Sequence, residues 1–152
     1  MENSSVPQSV TIDFPGDLEY IPDVRRLLSN LISIKGFSRR FTFRMEIIID
    51  ELCSNAVKFG RLKVGEFVTV KANVKNEDVT LHVSHPGVDS ESVAKLNNAI
   101  SDVVTEDIGN RSIMSDGRGI QIVKILCDKL VVDTSQGTTV VAYKRWTPND
   151  EL

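Results

Sequence analysis

Residues 42–60 read TFRMEIIIDELCSNAVKFG. Met45, Ile48, Ile49, Leu52, Ala56 and Phe59 recur at the spacing of one helical face and form a wide apolar stripe. The pattern predicts a helix from about Thr42 to Phe59, ended by Gly60, since glycine commonly follows a helix C-terminus. Beside the apolar stripe runs a polar one of Arg44, Glu51, Asn55 and Lys58, with Ile47 at its edge. Positions 51, 55 and 58 differ by four and three, so their side chains share a face.

Upstream, Val10, Ile12 and Phe14 alternate with polar residues, the period of a half-buried strand. Pro15-Gly16-Asp17 turns the chain into a helix with Asp17 as N-cap. Val24, Leu27, Leu28, Leu31 and Ile34 keep helical spacing, and Gly36 supplies the stop. Downstream, Phe67–Val74 and Val79–Val83 are β-rich runs joined by Lys75-Asn76-Glu77-Asp78, a hairpin signature. Asp89 to Ile100 reads as a helix and Ser101 to Asp116 as a polar loop. Gly117-Arg118-Gly119 opens a further helix whose Val123, Leu126, Cys127 and Leu130 face a core. LVVDTS and GTTVVAYKRW form a second hairpin that turns at Gln136-Gly137. Segregated hairpins and helices imply an α+β, two-layer sandwich: a mixed, mostly antiparallel sheet with helices on one face. The expected domain spans residues 9–146, after a loose stretch 1–8 and before a C-terminal tail 147–152.

The chain has 152 residues, a length that favours one domain and is enough for a core without disulfides. Asp plus Glu number 21 against 18 Lys plus Arg, a formal charge of −3. That mild acidity argues against a general binder of nucleic acid or anionic membranes, which need a positive surface field. No apolar run approaches the ~20 residues that span a bilayer. The polar N-terminus MENSSVPQSV does not resemble a secretory signal. Cys53 and Cys127 form no metal-binding spacing and no disulfide framework. A reduced, cytoplasmic protein is expected, and both thiols read as buried and inert rather than nucleophilic.

Two features carry chemistry. On the polar stripe, Asn55 offers an oxygen to a hard Mg²⁺ ion, and Glu51 can orient or deprotonate a hydroxyl. Lys58 would meet a phosphate as a point charge. Taken alone, an E-x-x-x-N pair also fits the solvated face of an ordinary amphipathic helix. The second feature is Gly117-Arg118-Gly119 before a helix, where glycines admit close backbone approach and a helix N-terminus attracts an anion. A simple turn into a helix has the same wording, and the spacing fits neither a Walker loop nor a dinucleotide fingerprint. His82 and His85, at a strand end and in the following loop, have no cysteine or carboxylate at ligand spacing and read as surface or pocket-lining residues. Trp146 either seals the sheet edge or belongs to a partner surface.

In combination and order, ELCSNAVKFG on a helix, HPGVD after a strand, GRGIQIVK opening a helix and GTTV starting a late strand resemble the GHKL ATPase superfamily, whose architecture is the Bergerat fold. The resemblance runs from about Val10 to Arg145 and is closest to bacterial anti-sigma-factor serine/threonine kinases of partner-switching systems. Asn-Ala-Val-Lys-Phe is also similar to the N box of sensor histidine kinases, but no phospho-accepting helical hairpin precedes it. The resemblance implies ATP and Mg²⁺ as cofactors, Glu51 as catalytic base and Asn55 as the magnesium ligand. It implies that Gly117 and Gly119 close the phosphate end and that Gly87 lies beside the nucleotide. Thr138 or Thr139 would lie near the adenine, and about 97–116 would form a lid. Arg111 and Arg118 are phosphate contacts by charge and position only.

The sequence departs from the family pattern at three places. The usual D-x-G-x-G box, whose aspartate accepts a hydrogen bond from the adenine amino group, aligns on Pro86-Gly87-Val88-Asp89 with Val83 for the aspartate and His85 for the first glycine. Valine cannot accept that bond, and an unmatched buried polar partner costs ~1–3 kcal/mol. Gln121 stands where many relatives carry a third glycine, and Phe59 where anti-sigma kinases often have histidine. Two functions are therefore in view. One is an anti-sigma factor and ATP-dependent serine/threonine kinase that binds a sigma factor and phosphorylates a STAS-type anti-anti-sigma protein, with a homodimer implied by the resemblance. The other is a non-catalytic partner-binding regulator with a degenerate pocket, which Val83 and His85 motivate. A stand-alone ATPase domain serving a separate phosphotransfer protein ranks third.

Overall fold

A computed structural model describes residues 8–101 and 115–151, the side chains of 115–118 excepted. The chain runs β1 (Gln8–Pro15), a 3₁₀ turn (Leu18–Tyr20), α1 (Ile21–Ile34), α2 (Arg39–Gly60), β2 (Phe67–Val74), β3 (Asp78–His85), α3 (Ser90–Ser101), α4 (Ser115–Leu126), β4 (Lys129–Asp133), β5 (Thr138–Arg145) and a final 3₁₀ turn (Pro148–Glu151). The strands form a five-stranded sheet in the order β1-β2-β3-β5-β4. Every neighbouring pair is antiparallel. The α+β sandwich expected from the sequence is therefore present, with a wholly antiparallel sheet. The expected loose stretch 1–8 and the segment 102–114, which contains Arg111 and most of the expected lid, lie outside the described residues except for Gln8, which begins β1.

Strand alternation sorts the sheet into two faces. Val68, Val70, Ala72 and Val74 of β2 and Val79, Leu81 and Val83 of β3 are buried beneath the helices. On the other face Lys71 is paired with His82, and Thr69 with Ser84. The apolar stripe of α2 lies on the buried face, with Met45, Ile48, Ile49, Leu52 and Ala56 all buried. Val24, Leu28 and Ile32 bring α1 against the same core. The ion pair Arg25–Asp50, at 2.7 Å, ties α1 to α2.

Helix ends differ from the sequence reading for local reasons. The helix α2 starts three residues earlier than expected, because the Ser38 side chain accepts a hydrogen bond from the Phe41 amide at 3.1 Å. At its other end Gly60 stays helical and Arg61 takes the left-handed conformation, φ 51°. Gly60 is needed for space instead: a Cβ there would lie 3.1 Å from the His85 ring. Asp17 caps the short 3₁₀ turn through the Glu19 amide, and α1 follows with proline in its first turn.

The β4–β5 turn is tighter than its sequence suggests. Gly137 has φ +82°, and a Cβ would approach the His85 carbonyl oxygen to 2.5 Å. Left-handed backbone costs a residue with a side chain ~1–2 kcal/mol before any clash. Gly137→Ala is expected to lower the unfolding free energy by at least about 2 kcal/mol in urea denaturation; a change under ~0.5 kcal/mol would show that this contact does not constrain the turn.

The last residues are anchored to the domain. Trp146 packs on the core and its amide donates to the Glu77 carbonyl at 2.8 Å. Asp150 is wholly buried, pairs with Arg44 at 2.7 Å and Lys144 at 3.8 Å, and accepts from the Thr147 amide and hydroxyl. The Ser38 hydroxyl donates to the Asp150 carbonyl. The segment set aside as a tail thus closes over the N-terminus of α2. Trp146 follows β5, an internal strand, and packs against the core rather than along a sheet edge.

Candidate functional site

The helix layer and the sheet part between α2 and α3, leaving a cavity of about 370 Å³. Its floor is two cross-strand pairs, Val83 with Val140 and His85 with Thr138. Leu52, Asn55, Ala56 and Phe59 of α2 form one wall, Leu96 and Ala99 of α3 another, and Ile120 of α4 closes an end. The α2 residues are those that helical geometry turns to one side, at about 100° per residue. By the same geometry Glu51 and Lys58 share nearly one direction, just beyond Asn55 at the cavity's edge.

That geometry sorts the expected site residues. Asn55 is half-buried and in the wall. Glu51 sits one turn earlier, half-buried, outside the cavity lining and against α4. A Cβ on Gly119 would overlap the Glu51 carboxylate, so glycine leaves that carboxylate its place beside α4. Helix α4 begins at Ser115, two residues before Gly117, so both glycines lie inside the helix rather than in a loop before it. The Arg118 side chain lies outside the described residues. Lys58 is exposed and does not line the cavity, because it falls on the edge direction in the last turn of α2. Of the two threonines, Thr138 is buried in the cavity, and its hydroxyl donates to the Gly87 carbonyl at 2.8 Å. Thr139 is on the opposite face, opposed to Ser84 and Asp133, as alternation requires. Gly87 itself is exposed in the β3–α3 loop.

Other groups at the cavity were not singled out as site residues from sequence. Asp89 precedes α3, accepts from the Ser92 hydroxyl at 2.6 Å and faces Arg61 at 3.7 Å. The Ser92 hydrogen bond, against some opposing desolvation and with help from Arg61, holds the Asp89 carboxyl below its ordinary range. An aspartate just before a helical run is an N-cap signal that the sequence did display. The Arg61 contact depends on the left-handed turn after α2, which has no such signal. Burial pushes the His85 imidazole toward its neutral form, opposed by the Glu66 charge, and its Nδ1 is buried with no partner among the described residues. His82 is also shifted toward neutrality, by burial and then Lys71, but it lies on the far face of the sheet.

The two cysteines are chemically quiet. Both are buried and free. Burial and then the Asp50 charge push the Cys53 thiol up to about 12, and burial raises Cys127. Among the described residues no three His, Cys, Asp or Glu side chains converge on a metal position. A magnesium ion takes one or two protein oxygens and fills the rest of its shell from water and phosphate, and the half-buried Asn55 offers one such oxygen from the cavity wall. The residues present therefore fit a magnesium–nucleotide at the Asn55 edge, while the Val83–Val140 floor has no polar side chain to offer a base. Among the described residues no helix is long and apolar enough to cross a membrane.

A search of curated proteins gave no match to the chain. The family model of the histidine kinase-like ATPase domain matches residues 14–144, from the end of β1 almost to the end of β5. With most of its length matched, and with this sheet, helix layer and cavity, the chain belongs to the histidine kinase-like ATPase domain family.

Proposed function

We propose that the protein is an ATP-binding regulator acting as an anti-sigma factor and protein serine/threonine kinase, with a serine of a STAS-type anti-anti-sigma protein as phosphoryl acceptor. Family membership implies ATP binding, typically with Mg²⁺. The observation that carries the reading is Asn55 in the cavity wall with the half-buried Glu51 one turn earlier, its carboxylate lying against Gly119 of α4. In this reading Asn55 holds the magnesium ion and the bound nucleotide supplies the phosphoryl group. Glu51 orients the acceptor hydroxyl and takes its proton as the serine oxygen bonds to the γ-phosphorus and the β–γ bridging bond breaks, leaving its oxygen on the diphosphate. Gly119 admits Glu51 beside α4, Gly117 and Gly119 give the phosphate end room, and Lys58 reaches a phosphate from the rim. Catalysis then rests on positioning and electrostatics. Phosphorylating the antagonist would free the protein to hold its sigma factor, as a homodimer in the cytoplasm.

Thermal unfolding with Mg-ATP tests the nucleotide step. Ligand at a hundred times its dissociation constant adds ~2.7 kcal/mol, a rise of roughly 5–10 °C for a domain of this size. The rise should require Mg²⁺ and vanish in Asn55→Ala. Transfer to a STAS-domain serine and capture of a sigma factor test the rest. The second reading, a non-catalytic partner-binding module, draws on the apolar Val83 floor. It predicts no shift at millimolar nucleotide.

A further inference from the structure

We propose that the acceptor protein docks along the seam between α2 and α4, covering Phe43, Ile47, Ile122 and Ile125 with apolar side chains while its hydroxyl reaches Glu51. The inference rests on the phosphoryl-transfer reading above and adds where the acceptor sits and what chemistry its surface presents.

The seam is built from two rows on packed helices. On α2, Phe43, Ile47, Glu51 and Asn55 follow one another at intervals of four, so their side chains share one side of the helix. On α4, Gly119 and Ile122 are three apart on one side, and Ile125 lies a further turn on. The rows meet where Gly119 lies against the Glu51 carboxylate. From there the two helices run in opposite directions. Ile120 of α4 stands at the cavity with Asn55. The start of α2 and the end of α4 both lie at the C-terminal end of β5, where Arg44 pairs with Asp150 and the Asp128 amide donates to the Tyr143 carbonyl at 2.7 Å. Going away from the cavity, Ile122 and Ile125 thus come after Gly119 on α4 as Ile47 and Phe43 come after Glu51 on α2.

This surface is apolar and open. Phe43 is 60% exposed, Ile122 40% and Ile125 65%, and Ile47 is half-buried. One such residue on a surface is ordinary, but several on adjacent turns of two packed helices mark an interaction site. Charged α2 side chains nearby are engaged within the chain, Arg44 by Asp150, Glu46 by Ser29 and Asp50 by Arg25. What the seam offers a partner is apolar area, so the complementary surface is apolar too.

The position of Glu51 selects the partner. Nucleotide and Asn55 occupy the cavity side in this reading, and Glu51 lies outside the cavity lining. The acceptor hydroxyl therefore comes to the carboxylate from the seam side, and the polypeptide that carries it lies over the next turns. From Glu51 to Phe43 is eight residues, about 12 Å along the helix axis. A small alcohol has no atoms to cover that length, whereas a folded protein presenting a serine does.

The test is steady-state phosphorylation of a STAS-domain protein by the full chain, with acceptor concentration varied at saturating Mg-ATP. Phe43→Asp and Ile125→Asp alter exposed positions and should leave the thermal shift with Mg-ATP unchanged. Each should raise the KM for the acceptor by about tenfold or more, the usual cost of losing an apolar anchor at an interface, with kcat within about threefold of the parent. Ile125→Leu keeps the apolar area and should behave as the parent. An acceptor KM unchanged within threefold in both Asp variants would overturn the inference and leave the phosphoryl-transfer reading standing. So would a fall in kcat at unchanged KM, or loss of sigma-factor capture or of the dimer with acceptor kinetics intact. If the unaltered chain transferred phosphate to no STAS-domain protein, that reading would fall, and this inference with it.

Discussion

Asp150→Ala is expected to lower the unfolding free energy by about 3–5 kcal/mol, the range for removing one partner from a buried ion pair. The expectation does not come from the attraction between the charges. It comes from what remains: Lys144 is 5% exposed, lies 5.8 Å from the centre of the Phe41 ring, and would lose its carboxylate partner inside the protein. The Thr147 amide and hydroxyl and the Arg44 guanidinium would lose the same carboxylate. Urea denaturation at neutral pH measures the loss, and a change below 1 kcal/mol would mean that the last turn is an ornament to the fold.

The pH dependence of that difference follows from the Asp150 carboxyl. Burial alone would raise its pKa, but the two Thr147 hydrogen bonds and the Lys144 and Arg44 charges outweigh burial and lower it. A carboxyl lowered in the folded state contributes stability above its unfolded value, ~3.9, and loses it as pH falls through the lower folded value. The gap between the unaltered protein and Asp150→Asn should therefore be full above about pH 5 and shrink below about pH 4. A gap that widened in acid would reverse the sign and sink the assignment.

Glu51→Gln is expected to slow phosphoryl transfer to a STAS-domain serine by about 10²–10⁴-fold, the usual contribution of a positioned general base. Glutamine keeps the shape and cannot take a proton, so the stabilisation by Mg-ATP should persist. Gly119→Ala approaches the same group from the other side. Its new Cβ would overlap the Glu51 carboxylate, which is the free end of a flexible side chain and can swing away. Alanine also favours a helix over glycine by ~1 kcal/mol. The variant should thus unfold no earlier than the parent while transfer falls by tenfold or more. Loss of transfer with loss of folding would instead make Gly119 a packing residue only. Single-turnover phosphorylation and thermal unfolding of both variants separate the outcomes.

Residues close in sequence carried most of what could be read without coordinates. The α2 stripe from Met45 to Phe59, the alternation in Val68–Val74 and Val79–Val83, and the pairing of Glu51 with Asn55 one turn apart all follow from the periods of helix and strand. The presence of two hairpins and an α+β sandwich follows as well. Period alone also suggested Lys58 as a site residue, and the structure turns it to the edge, since a shared face is wider than a cavity wall. Thr138 and Thr139 were interchangeable until the β3–β5 register placed Thr138 opposite His85. The ion pairing of Asp150 was illegible for a different reason: its partner Arg44 is 106 residues away, and no local pattern marks a polar residue as buried.

Elements and their facing sides were determined by the sequence itself, because backbone periodicity and side-chain polarity act over a few residues. Folding in three dimensions determined which glycines sit tight against a neighbour, as Gly60 does against the His85 ring, Gly119 against the Glu51 carboxylate and Gly137 against the His85 carbonyl. It also determined that Val83 and Val140 meet as an apolar floor. Excluded volume and buried polarity are properties of neighbours, and these neighbours are brought together by strand register and helix packing across stretches of chain too long for any local pattern to span.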